Sequence, residues 1–441
     1  MTPGATAEAA IGLLNDIAAG GAPADELVGT YFRRHRFAGA KDRAAISEHV
    51  FAVLRRRAAL DWWIEREGRG LPPDARRRML AALLLIEAKP ADRVARDWDG
   101  DRFRPAPLDD AERHLAAALE GRSIEDRAMP ESVRGNYPAW LEPSLAVSLG
   151  RGLAREMAAS LEGAPLDLRV NLLKGDREAA RAALGREGVA AARTPLSPVG
   201  LRVFERIPLA TLAPFRGGFI EVQDEGSQLA SLLVDARPGM RVVDFCAGAG
   251  GKTLALAASM DNRGHLVACD VRARRLERAT ERLRRAGVSI VQRLPLASAH
   301  DKWVKRHAAS FDRVLIDAPC TGTGTWRRNP DAKWRLRPED LEELTSLQAE
   351  ILDSAHRLVR PGGRLIYVTC SYLAGENEAQ IERFLAAHEA FSILPIPQVW
   401  REAVGSDCPT RDDLLRLSPA RHGTDGFFVA VLTRRPAAAA P

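Results

Sequence analysis

An α/β fold built on a parallel, doubly wound sheet is predicted for the C-terminal half of this chain of 441 residues. Three observations predict it. From Met240 onward, short apolar runs rich in β-branched residues alternate with helical periods, the pattern of successive strand–helix–strand crossovers. A glycine-rich turn, Gly248-Ala249-Gly250-Gly251, directly follows the first of these strands. Two cysteines, Cys320 and Cys370, each close a run that reads as a buried strand, in FDRVLIDAPC and GGRLIYVTC. In sheets of this class, ligands and chemistry gather at the carboxyl ends of the strands.

The elements can be justified in order. Residues 1–135 show helical periods and almost no strand signal, which predicts an all-helical domain. Residues 5–17 are amphipathic. So are residues 42–64, where Ile46, Val50, Val53, Leu54, Leu60 and Trp63 share one broad face, and residues 77–87 follow. Arginines are dense here: Arg33, Arg34, Arg36, Arg43, Arg55, Arg56 and Arg57. They read either as solvated helix faces or as a phosphate-binding surface. Proline punctuation in RFRPAPLDD and AMPESVRGNYPAWLEP marks a boundary between residues 100 and 145. Residues 136–235 form a linker and a small α+β unit: LDLRVNLL as strand, REAARAALGREG as helix, GLRVFER as strand. Residues 236–435 hold the alternating part. Its strands are MRVVDFC, HLVACD, SIVQRL, FDRVLIDAP, GGRLIYVTC and GFFVAVLTRR. Helices are expected from Lys252, from Arg272, over 338–358 and over 378–387. The tail 437–441 is expected to fray. No internal repeat is visible.

Hydrophobic residues make up 46% of the chain, enough for a sizeable core and against global disorder. The net charge of +6 permits a nucleic-acid partner without demanding one. Five cysteines occur with no C-x-x-C pair and no nearby histidines, so neither a zinc site nor any other metal site is expected. Their odd count and wide spacing argue against a disulfide framework and place the chain in a reducing cytoplasm. The N-terminus lacks the basic and apolar regions of a signal peptide. The longest apolar run, MLAALLLIEA, is too short to span a bilayer, so no membrane partner is expected.

The turn in VVDFCAGAGGKT can be tested by spacing. A P-loop needs a glycine where Cys246 stands. A dinucleotide fingerprint needs a third glycine where Thr253 stands. The remaining reading is a nucleoside cofactor without a pyrophosphate, such as S-adenosylmethionine. Cys246, Ala247, Gly248, Ala249, Gly250, Gly251 and Lys252 would hold it. Asp270 closes the second strand, where its carboxylate can accept the ribose hydroxyls.

If the fourth strand lies beside the first and the fifth beside the fourth, Cys320 and Cys370 open into one cleft next to this turn. A cytosine ring is electron-poor at C6 and unreactive at C5. A thiolate adding at C6 makes C5 nucleophilic towards a sulfonium methyl group. The reaction needs a nucleophilic cysteine, an acid that holds the ring, and removal of the C5 proton. Asp317, three residues before Cys320, suits the ring. Lys252 is a candidate source of the positive charge that helps ionise a thiol. For Cys269 and Cys408 the expected role is that of a small buried hydrophobe.

TGTGTWRRNPDAKWRLRPED follows Cys320 and interleaves Arg327, Arg328, Lys333 and Arg335 with Trp326 and Trp334. Cations neutralise phosphates and indoles stack on bases, so an RNA contact is expected here. The seven arginines of 272–285 are instead expected to form a solvated helix face.

VVDFCAGAGGKT, DAPCTGTGTWRRNPDAKW and VTCSYLAGENE together resemble three signature motifs of the RNA cytosine-C5 methyltransferases, the Sun/NSUN family. EVQDEGSQLAS and RLSPARHGTDGFFVA resemble it too, and the five motifs span residues 220–432. The unit around LRVNLLK is similar to the small RNA-recognition-like subdomain of that family. FAGAKDRAAISEHVFAVLRRR resembles the NusB-like RNA-binding domain of RsmB-type enzymes, which act on small-subunit rRNA. The resemblance implies a Rossmann-like class I methyltransferase domain after the small α+β and all-α domains. It implies Cys370 as the nucleophile, Cys320 as the residue that assists product release, and Asp317 as the ring holder. It also implies S-adenosylmethionine on Cys246 to Lys252 and Asp270, with 16S rRNA or its assembling particle as partner. A tRNA substrate, or an inactive assembly factor on the same fold, are the alternatives. A nicotinamide oxidoreductase is disfavoured by Thr253. The chain departs from the family turn A-A-P-G-G-K in lacking its proline, which predicts a looser turn. The segment RLPLAS also carries no acid to meet an adenine.

Overall fold

The computed structural model describes residues 1–205 and 207–436; the tail 437–441 lies outside the described residues. Two compact units make up the chain. The first comprises Met1–Gly163 together with Thr325–Arg337. Its centre is the helix Ala75–Leu85, where residues 79–85 are all buried. A helix that is apolar all round is a core helix, and the helices Pro3–Ala19, Ala40–Arg55, Arg57–Glu67 and Asp110–Leu119 surround it. Ile46, Val50, Val53, Leu54, Leu60 and Trp63 all join this core, as their spacing predicts. The single stretch expected over 42–64 is, however, two helices. At Arg56 the backbone leaves the helical region (φ −110°, ψ 18°). A new helix start leaves orphan N–H groups, and Oδ1 of the buried Asn136 accepts that of Ala59 at 3.1 Å. No glycine or proline marks the break, which hides it in the sequence.

The segment Thr325–Arg337 completes the interior of this unit. The indole N–H of Trp334 donates to the Leu54 carbonyl at 2.7 Å. Arg55 donates to the Arg327 carbonyl at 2.9 Å, and the Ala24 N–H to Oδ2 of Asp331 at 3.1 Å. Trp326, Arg327, Asp331 and Lys333 are all buried. The Lys333 ammonium lies 5.8 Å and 5.3 Å from the Trp326 and Trp334 rings and 3.4 Å from the Arg55 carbonyl. Burial pushes it down to about 7, with Arg55 and Arg56 adding repulsion. This corrects the expectation for Arg327 and Lys333: buried as they are, neither offers a cation to a phosphate. The indoles and aliphatic stems that looked like a stacking surface bury apolar area instead. Arg328 is half-buried, and Arg335 is exposed and paired with Asp331 at 3.1 Å.

The second unit comprises Ala164–Gly324 and Pro338–Pro441. Residues 136–163 fall in the first compact unit, where Leu153–Ser160 meets both Glu131–Gly135 and Glu142–Leu149. The small sheet and the large one fall together in the second. The small sheet is antiparallel in the order β2-β3-β1-β4, with β1 Leu166–Val170, β2 Ala192–Arg193, β3 Gly200–Val203 and β4 Ile220–Val222. Leu168, Val170, Leu201 and Ile220 meet Ala180 and Leu184 of the helix Arg177–Arg186. The segment read as strand, helix, strand has this form, with β2 and β4 added at the edges.

The large sheet contains β5 Arg241–Asp244, β6 His265–Asp270, β7 Val291–Pro295, β8 Phe311–Asp317 and β9 Val359–Thr369. β10 Phe391–Ile393, β11 Leu415–Leu417 and β12 Phe427–Arg434 complete it. The order is β10-β12-β9-β8-β5-β6-β7, with β11 on β12. Strands β7, β6, β5, β8 and β9 are parallel; β12 runs antiparallel to β9. The fourth strand thus lies beside the first and the fifth beside the fourth, as predicted. Both faces are covered, with Val243, Val267, Val314 and Leu365 on one side and Val242, Leu266, Leu315 and Ile366 on the other. Parallel strands buried on both faces read as unbroken apolar runs, which is why they were legible. No helix among the described residues is long and apolar enough to cross a membrane.

The buried Lys333 gives the helical unit a pH signature. Below pH 7 folded and unfolded chains both carry the proton, and the burial penalty stands in full. Between about 7 and the ordinary lysine range, only the unfolded chain keeps it, so stability rises with pH. Thermal unfolding followed from pH 6 to 10 should show this rise, and Lys333→Met should flatten it. An unchanged slope in the variant would exclude this ammonium as its source.

Candidate active site

Asp244, Asp270, Asp317 and Thr369 are the last residues of β5, β6, β8 and β9, so one edge of the sheet collects the candidate residues. Asp317 stands opposite Val368 in the β8–β9 register. That pairing delivers Cys320 and Cys370 from neighbouring strand ends, and their sulfurs lie 3.4 Å apart as free thiols. The Gly324 N–H donates to the Cys370 carbonyl at 2.9 Å, and the Gly426 N–H to the Gly324 carbonyl at 2.8 Å. A Cβ at position 324 would stand 2.2 Å from the Gly426 carbonyl oxygen, so only glycine admits this approach.

Lys252, on the first turn of the helix Gly251–Ser259, is buried, and its Nζ lies 2.8 Å from Oδ1 of Asp317. Burial alone would lower this ammonium, but the Asp317 carboxylate, with Cys370 and Asp244 behind it, holds it above its ordinary value. Lys252 is therefore a fixed cation within reach of Cys370. The Cys320 thiol is pushed well up by its hydrogen bond to Cys370, by burial, and by the nearby Glu376. Cys320 therefore holds its proton more tightly than an ordinary thiol.

The glycine turn is braced from several sides. Gly248 (φ 54°) and Gly250 (φ 79°) both adopt left-handed backbone. The Gly248 N–H donates to Oδ2 of Asp270 at 2.9 Å, and Oδ1 of Asp270 accepts from the Arg272 N–H at 2.7 Å. Arg282 donates to the Ala249 carbonyl at 2.6 Å and also meets Glu221 at 3.3 Å. A turn without proline is thus tied down by its neighbours. Arg282 and Arg285 depart from the solvated face expected for 272–285: both are half-buried and both reach Glu221. The other five arginines of that stretch are exposed.

Sequence reasoning missed two acids. Asp244 is fully buried; Oδ2 accepts from the Thr253 hydroxyl at 2.6 Å, while Oδ1 has no partner. Burial pushes its carboxyl up to about 7, with the Thr253 hydroxyl pulling back. Glu376 is also fully buried and receives donors from both cysteine loops. Cys246 is half-buried at the turn, its thiol pushed well up by desolvation and by Asp244, Asp317 and Asp270, and Cys269 is a core residue. Among the described residues, no group of three or more potential ligands is arranged to hold a metal.

The sequence model of the family described as 16S rRNA methyltransferase RsmB/F matches residues 231–433, and that of an RsmF/B-like ferredoxin-like domain matches 137–210. Ribosomal RNA small subunit methyltransferase B of Xylella fastidiosa (strain Temecula1) is 36% identical over 407 residues, which are 89% of this chain and 90% of that protein. The chain belongs to the RsmB/F methyltransferase family.

Two solved structures agree. PH0851 is 28% identical with a TM-score of 0.78, covering 98% of this chain and 99% of its own. A methyltransferase homolog protein from Pyrococcus horikoshii is 29% identical with a TM-score of 0.59, covering 69% and 97%. As a member of the RsmB/F family, this chain is an S-adenosylmethionine-dependent RNA methyltransferase on a Rossmann-like fold. The turn fits that cofactor: two left-handed glycines keep side chains out of it, and the unpartnered Oδ1 of Asp244 is a buried acceptor open to a cationic donor. Gly250→Ala tests the fit. An added Cβ would sit 2.9 Å from that of Ala279, on a backbone that L-residues disfavour. Affinity for S-adenosylmethionine should fall about tenfold or more by calorimetry; wild-type affinity would place the cofactor elsewhere.

Proposed function

We propose that this chain methylates C5 of a cytidine in 16S rRNA through a covalent adduct between Cys370 and C6, in the reducing cytoplasm that its free thiols require. The observation that carries the reading is the pair of free sulfurs 3.4 Å apart, on the strand edge where the buried Lys252 pairs with the half-buried Asp317. S-adenosylmethionine, when bound, supplies the sulfonium methyl group. The residues that would hold it are Cys246, Ala247, Gly248, Ala249, Gly250, Gly251 and Lys252 of the turn, with Asp270 for the ribose. Asp244, with its open acceptor, joins them.

Cys370 adds as thiolate to C6, so the Sγ–C6 bond forms as the C5=C6 double bond gives its electrons to the ring. Asp317 holds the ring, and Lys252 opposes the negative charge that develops near it. After methylation at C5, solvent water acting as base takes the C5 proton, the C–H electrons re-form the C5=C6 double bond, and the Sγ–C6 bond breaks with its electron pair returning to the Cys370 sulfur. Cys320, kept neutral by its surroundings, hydrogen-bonds the departing sulfur. A nucleophilic Cys320, as in DNA cytosine methylation, is the alternative; the T-C-S context of Cys370 and the A-P-C context of Cys320 favour Cys370.

For RNA contact we propose Arg328 and Arg335, and a basic loop of the helical unit. Arg33, Arg34 and Arg36 are exposed there beside Phe37, which is 74% exposed. An apolar ring held in water among cations suits stacking on an unpaired base. This surface suits an RNA, and the small-subunit rRNA methyltransferases among the relatives support small-subunit rRNA or its assembling particle as that partner.

Cys370→Ala should abolish methyl transfer, and Cys320→Ser should accumulate protein bound to RNA, seen as a shifted band on a denaturing gel. Near-normal turnover by Cys370→Ala would sink the assignment. Phe37→Ala should raise KM for a 16S rRNA transcript by roughly tenfold with kcat unchanged; equal KM values would remove the loop from the interface.

A further inference from the structure

Glu376 lies six residues past Cys370 and has no exposed surface. Its side chain accepts four hydrogen bonds. Oε1 takes the Thr321 N–H at 2.8 Å and the Gln348 amide at 3.0 Å. Oε2 takes the Thr321 hydroxyl at 2.5 Å and the Ser371 hydroxyl. Thr321 immediately follows Cys320, and Ser371 immediately follows Cys370. One carboxylate therefore binds the residue after each thiol. Two N–H groups meet Oε1 and two hydroxyls meet Oε2, so both oxygens are tethered.

The surrounding bonds tighten the same point. The Ser371 hydroxyl lies 3.1 Å from that of Thr323, which accepts the Tyr372 N–H at 2.8 Å. Asn377 accepts from the Thr369 hydroxyl at 2.5 Å and donates to the Ser371 carbonyl at 2.9 Å. The Tyr367 hydroxyl donates to the Glu376 carbonyl at 2.7 Å, fixing the backbone from which the carboxylate reaches.

We propose that Glu376 is a positioning residue for the thiol pair: by binding the residue after Cys320 and the residue after Cys370 with one carboxyl group, it locks the two cysteine loops at one separation, so that Cys320 stays beside Cys370 while the product is released. This inference rests on the adduct mechanism above.

The test uses the full chain, S-adenosylmethionine and a 16S rRNA transcript, and follows decay of the protein–RNA adduct in single turnovers across pH. Glu376→Gln keeps the reach of the side chain, and both hydroxyls can rotate to accept from its amide, so the loops can still close. Adduct decay should slow about tenfold, with calorimetric cofactor affinity retained. Thr321→Val removes one tether, so decay should slow there too with cofactor affinity retained. A Glu376→Gln profile that overlays wild type, or a variant that only melts earlier, would overturn the proposal. If Glu376→Gln does not fold, Thr321→Val decides: wild-type decay overturns it. Absence of any adduct in Cys320→Ser would instead indict the adduct mechanism itself.

Discussion

The pairing of β8 with β9 is the constraint on which the rest of the site depends. Parallel neighbours rise together, so Asp317 and Val368 stand at one level and the chain leaves both strands within two or three residues of a cysteine. A slip of one residue would turn every side chain of a strand to the opposite face. It would part the sulfurs and carry Asp317 away from Lys252. The apolar runs that fill both faces of the sheet therefore do more than stabilise it. They hold two thiols at contact distance without a covalent bond between them.

Around that register the site is polar and largely dry. Lys252, Asp244 and Glu376 are all buried, yet each meets a different neighbourhood. Lys252 meets a carboxylate and remains a cation. Asp244 meets one hydroxyl and is left with an unused acceptor. Glu376 meets four donors. Buried groups of this kind are costly unless satisfied, and the one incompletely satisfied carboxylate is the one beside the glycine turn. The same unit reaches back from that turn through Arg282 to Glu221 on the small sheet, so the conformation of the turn depends on residues outside its own motif.

The parallel strands, the thiols and the turn were legible because each leaves a local mark: a doubly buried strand is an unbroken apolar run, and a cysteine after it stands at the functional edge. Strands β2, β4, β10 and β11 have only two or three residues, too few to show a period. The break at Arg56 has no glycine or proline to announce it. Lys333 shows a different limit. A lysine between two tryptophans carries the same letters on a surface as in a core, and only the placement of Leu54 and Arg55 decides. Glu376 was within a quoted motif, but its role arises from Thr321 and Gln348, which are distant in the chain.

The composition of the helical unit sets an order of assembly during synthesis. Residues 325–337 fill part of its interior, yet they leave the ribosome only after the whole of residues 164–324 has been made. At ordinary elongation rates that interval is on the order of ten to thirty seconds. The first helices must wait through it with the sites for Trp326 and Trp334 unfilled. A nascent chain of this design closes its first unit only when much of the second has emerged, so the two units cannot mature one after the other like beads.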